Sequence, residues 1–115
     1  MRKGMVNLIR RETLGMTQAQ LAEVAGISAA TISKHENGEE ISKLHYMALN
    51  AALKEIESEM SKDQYADYFL ILKAKMVREE TDPEQKSVRI HDLLYAVSKS
   101  LYELELSLGK RKEKR

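Results

Sequence analysis

A chain of 115 residues with 43% hydrophobic content has room for one small packed domain or one domain with a helical extension. It has no Cys, so a disulfide framework and thiolate chemistry are excluded, and a reducing cytoplasm suits it. The net charge of +1 hides an asymmetry: Lys/Arg against Asp/Glu runs seven to six over residues 1–56, seven to eleven over 57–109, and five to one over 110–115. A basic tail behind an acidic segment suits an anion-facing protein, although such tails also serve solubility alone.

One Pro and five Gly punctuate the chain, β-branched residues are few, and Ala, Leu, Lys, Glu and Met dominate. This composition predicts an all-α fold. No continuous apolar h-region follows Arg2-Lys3, and no apolar run approaches the roughly 18–20 residues of a membrane span. The expectation is a soluble cytoplasmic protein with no membrane partner.

In chain order, residues 5–14 (MVNLIRRETL) predict a first helix that buries Met5, Leu8 and Ile9, with Arg11 beside that stripe and Gly15 past its end. Met16 is expected to drop into the core. Thr17 caps a second helix, with Gln20 completing a capping box, and Leu21, Ala22 and Val24 give it an apolar side. Gly26 supplies a left-handed turn, Ser28 caps a third helix, Ile32 points inward, and Asn37-Gly38 ends the element. Ala22 is the small residue needed where two helices cross steeply over a short turn. Residues 17–38 therefore predict a helix-turn-helix.

A fourth helix opens at Ser42, and Leu44, Met47, Ala48 and Ala51 recur at the spacing of one buried face. The polar stretch 57–63 marks the expected boundary between units 1–58 and 59–115. Residues 62–79 predict a fifth helix with Tyr65, Tyr68, Phe69, Leu72 and Met76 on one side. Asp82-Pro83-Glu84 then starts a sixth, expected to reach Leu108 and end at Gly109. Ile90, Leu94, Val97, Leu101, Leu104 and Leu108 step along it by four and three residues. That is a heptad seam, widened by Leu93, Tyr95, Tyr102 and Leu106, and it predicts a helical hairpin that dimerises.

Arg11-Glu12, Gly15-Met16-Thr17-Gln18, Leu21-Ala22, Gly26-Ile27-Ser28, Thr31-Ile32-Ser33 and Glu36-Asn37-Gly38 together form a specific pattern. On these residues the stretch 5–53 resembles the Cro/C1-type (XRE-like) helix-turn-helix repressors. The resemblance implies a lambda-repressor-like bundle of five helices whose third helix enters the major groove of double-stranded DNA. It also implies a structural pair between Arg11 and Glu36. The C-terminal half carries no comparable resemblance.

Within that frame, Gln18 at the start of the second helix is a phosphate candidate. Ala29, Ala30, Ser33 and Lys34 are the groove-facing positions, and Lys34 suits guanine O6/N7 or a phosphate. Ser28 and Thr31 offer short hydroxyls, while Asn37 and Lys43 are further phosphate candidates. The two alanines depart from the family's frequent Gln or Arg, so direct base readout is thin and DNA shape is expected to contribute. Glu39-Glu40 also depart from it and set negative charge where relatives carry Lys or Arg.

His35, His45 and His91 share no ligand spacing and read as surface or boundary histidines, so no metal, cofactor or enzymatic site is expected. The sequence thus predicts a dimeric repressor of prokaryotic, phage or mobile-element type acting on a near-palindromic operator. The alternative is an antitoxin or antirepressor-bound protein whose C-terminal helices bind a protein partner.

Overall fold

The turn at Gly26 sets the geometry of the N-terminal half. The computed structural model describes residues 1–113, with only the helical backbone for 110–113. It contains α1 (Lys3–Thr13), α2 (Gln18–Ala25), α3 (Ala29–Glu36), α4 (Lys43–Ser58), α5 (Lys62–Glu79) and α6 (Pro83–Glu113), and among the described residues no strand. Thr17 accepts from the Gln20 N–H while the Gln20 side chain accepts from the Thr17 N–H, so the expected capping box opens α2. Gly26 closes α2 at φ 71°, where a Cβ would be strained, and its N–H reaches the Ala22 carbonyl. Ser28 then caps α3 through the Thr31 N–H. The all-α fold is a helix-turn-helix bundle followed by two C-terminal helices.

The core is small and is built from three helices, α2, α3 and α4. Leu21, Ala22, Ile32, Leu49, Ala52 and Leu53 are buried together, and Met16, Ile27, Ala29 and Ile56 close its edges. Ile32 is fully covered, so α3 is fixed from behind. Val24 does not join this core: it is 50% exposed, on the outer side of α2.

The face of α4 is also corrected. Leu44 is 77% exposed and Met47 55%, and Ala51 is exposed as well. The buried stripe is Leu49, Ala52 and Leu53, extended by Ile56. Both stripes have helical spacing, and the covered one is the one that carries the larger side chains where α2 meets α4.

Near α1, one close approach has no sequence signal. Gly4 is buried, and a Cβ at that position would collide with the His35 carbonyl of α3. Gly→Ala in an ordinary helix interior gains about 0.5–1 kcal/mol. Here Gly4→Ala should instead cost roughly 1–3 kcal/mol, because two backbones must separate. Urea unfolding of the variant checks the sign; a gain in stability would show that α1 and α3 have room to spare.

A short break at Glu59–Ser61 separates α4 from α5, and Ser61 with Gln64 forms a second capping box. α5 packs on α1 and then on α6. Tyr68 is buried in the first of these contacts, whereas Tyr65 stays exposed. At the next turn, buried Glu80 accepts from Arg89 Nε at 2.8 Å and lies 3.8 Å from the N-terminal ammonium. α6 does not stop at Gly109 but continues to Glu113. One glycine costs a helix only about 1 kcal/mol, and no Pro or Asn follows to end it. The side chains of the basic tail 110–115 lie outside the described residues.

Candidate nucleic-acid interface

Every outward position of α3 depends on what holds the helix inward. Ile32 anchors one side, and Glu36, only 4% exposed, anchors the end. Arg11 grips the Glu36 carboxylate with two parallel bonds, Nε to Oε2 at 2.7 Å and Nη2 to Oε1 at 2.9 Å. Its third nitrogen, Nη1, donates to the Met16 carbonyl at 2.8 Å, which ties the α1–α2 connection to the same group. The Glu36 hydrogen bond raises the Arg11 pKa above its ordinary value, against some opposition from burial.

Gln18 belongs to this cluster. Its Nε2 donates to Glu36 Oε1 at 2.9 Å, so the phosphate candidate at the start of α2 is oriented by the end of α3. The sequence offered no sign of that link. One amide N–H and the amide oxygen remain for another partner.

The face of α3 turned to solvent is narrower than the sequence suggested. Ala30, Lys34 and Asn37 are exposed at steps of four and three residues, a single stripe. Ser33 and Thr31 are half-covered beside it. Ala29 leans against the core and is only partly open, so it is not a freely presented groove position. The Ser28 and Thr31 hydroxyls bond each other at 2.8 Å while Ser28 caps the helix. Both are therefore partly committed to local structure. Lys34 is the one long cation on the stripe.

Beyond the end of α3 lies an open cleft of about 490 Å³. Arg2, Lys3 and Lys43 share its lining with Glu39, Glu40 and Tyr46. Lys3 Nζ sits 5.0 Å from the centre of the Tyr46 ring. Three cations and two carboxylates thus face one recess, so Glu39-Glu40 are partly neutralised by neighbours that are distant in sequence.

His35 is not a surface histidine. It is buried with its Nε2 accepting from Asn7 Nδ2 at 3.0 Å, and its ring meets Tyr46 edge-on at 5.5 Å. Burial holds it below the ordinary histidine pKa; the Glu36 charge opposes that shift and Lys3 adds to it. His45 and His91 are exposed. Among the described residues no three metal-ligating side chains gather.

Another polar cluster adjoins this one on α1 and shares Asn7 with it. Arg10 donates through Nε and Nη2 to Glu57, and through Nη1 to Asn7 and Asn50. The Tyr68 hydroxyl donates to Glu57 as well. Burial, with that hydrogen bond, pushes the Tyr68 phenol well above its usual range.

No curated protein and no solved structure matches the chain. Residues 9–57 match the helix-turn-helix family model, a span that covers α2, α3 and their turn, the last part of α1 and nearly all of α4. Residues 9–57 are thus a helix-turn-helix domain of the Cro/C1 (XRE-like) type, a domain of DNA-binding regulators.

Proposed function

We propose that the chain is a sequence-specific regulator that lays α3 in the major groove of double-stranded DNA and acts as a homodimer on a near-palindromic site, as a repressor. The observation that carries this is the exposed stripe Ala30–Lys34–Asn37, held outward by buried Ile32 and the Arg11–Glu36 pair. Lys34 supplies the strongest contact, to a guanine edge or a phosphate. Gln18 at the α2 N-terminus and Lys43 at the α4 N-terminus hold phosphates on either side, as helix N-termini favour. With few long polar groups on α3, part of the selectivity comes from the shape of the duplex. As a repressor, the bound dimer acts by occupying its site.

Homodimerisation rests on the apolar face of α6. Ile90, Leu94, Val97, Leu101, Leu104 and Leu108 are all 37–60% exposed, which is more continuous apolar surface than a single helix normally leaves in water. A second copy covers that face and places two α3 helices about one duplex turn, roughly 34 Å, apart.

Selection from a random duplex pool tests the DNA reading. The native chain should enrich a near-palindrome. Lys34→Ala should weaken binding by about 5- to 150-fold, the range of one good base contact of 1–3 kcal/mol. If Lys34 meets a phosphate instead, the salt slope should fall by about 0.9 and the motif should stay the same. Ala30→Gln should change the motif. A pool with no enrichment, or an unchanged motif with Ala30→Gln, would remove α3 from the groove.

A further inference from the structure

α6 carries two heptad faces side by side. Up to Ser100 its half-covered residues are Lys86, Arg89, Leu93, Ala96 and Ser100, which form the face toward α5. Only Leu93 among them is a large apolar side chain. The richer seam, from Ile90 to Leu108, is turned away from α5 and has no cover among the described residues. In addition, α6 outruns its neighbour. It has 31 residues against 18 in α5, about 46 Å against 27 Å at 1.5 Å per residue. Lys62, the first residue of α5, lines one groove with Ser100 and Glu103, so the positions beyond have no α5 beside them.

We infer that the covering partner is a second copy of α6 running antiparallel, centred at Lys99, with Ile90 opposite the second copy's position 108, Leu94 opposite 104 and Val97 opposite 101. This deepens the homodimer reading above and rests on it. Three observations support this direction and register.

The first is the step pattern. Antiparallel helices pair each a position with a d position of the other chain. The order four, three, four, three, four reads the same from both ends, so all six residues find apolar partners in one register. The second is the overhang. In this register the uncovered end of each α6 lies against the half of the other α6 that α5 supports, so neither end projects alone. A parallel pair would leave both ends projecting together without α5 on either side. The third is the flank. His91 and Glu105 both border the seam, and the antiparallel register sets each beside the other residue of the second copy. A parallel register would place Glu105 beside Ser100, and Lys86 beside His91.

The native chain has no Cys, so cross-linking reads the register directly. Disulfides need Cα atoms within about 7 Å. Leu94→Cys and Leu104→Cys should each stay uncross-linked under mild oxidation, because like positions lie about ten residues out of register. The double variant Leu94→Cys/Leu104→Cys should run almost wholly as a covalent dimer. Light scattering of the native chain without DNA should give twice the chain mass, and Leu101→Asp should return it to the monomer with its helical circular dichroism retained. Rapid cross-linking by either single variant would establish parallel pairing and overturn the register while sparing the dimer. A native monomer at tens of micromolar would overturn both. Neither result bears on whether α3 reads DNA, which the pool selection decides separately.

Discussion

Arg11→Ala should cost about 3–5 kcal/mol of folding stability, the range found when one partner of a buried ion pair is removed. The cost arises chiefly from what remains. Glu36 would keep a carboxylate that is 4% exposed, with only the Gln18 amide donating to it. The Met16 carbonyl would lose its donor too. For a small domain each kcal/mol moves the melting temperature by about 4–8 °C, so most of the fold is expected to melt near room temperature. Replacing both partners, Arg11→Met with Glu36→Leu, should cost less than Arg11→Ala alone, because no charge is then stranded. Thermal and urea unfolding of the two variants provide the comparison. A double variant worse than the single would mean that the pair adds net stability of its own.

Glu57→Ala is expected to have the next largest effect, about 2–3 kcal/mol, in line with hydrogen bonds to charged groups of about 1.5–3. Arg10 would lose two of its bonds and Tyr68 its only acceptor. Tyr68→Phe should cost about 1 kcal/mol, since it removes the donor and keeps the ring buried. The order Glu57→Ala, then Tyr68→Phe, separates the ionic contribution from the phenolic one. Hydrogen exchange should rise first in α5, whose contact with α1 the cluster secures. Equal losses from the two variants would show that Arg10 gains little from the carboxylate.

How much of this was legible depends on the range of the interaction. Thr17 with Gln20, Gly26 with its positive φ, and Ser28 with Thr31 are capping events within three or four residues, and the sequence states them directly. Pro83 at the start of α6 was legible for the same reason. Arg11 and Glu36 stand 25 residues apart, and only the family resemblance suggested their meeting.

Most of the differences concern which face turns inward. α4 has two apolar stripes, 44/47/48/51 and 49/52/53/56, and periodicity alone cannot choose between them. Val24 was placed inward by composition, although Leu21 and Ala22 already fill the contact. His35 and Gly4 are readable only once α1 crosses α3, because their burial comes from that crossing. Ser61 with Gln64 had a local signal, the capping pattern itself, that went unread within a polar stretch.

Arg10 and Arg11 are consecutive on α1, about 100° apart around it, and they hold different neighbours. One is bonded to Glu57, which Tyr68 of α5 also holds; the other is bonded to the end of α3. The helix offered to DNA and the helix that leads into α6 are therefore joined through one stiff rod. In a paired assembly, the gap between reading heads would be set by protein geometry, with little slack from hinges. One base pair inserted between half-sites would turn the second by about 34–36° around the duplex axis. Twisting or bending of the duplex would have to absorb that turn, so such a regulator should read spacer length as strictly as it reads letters.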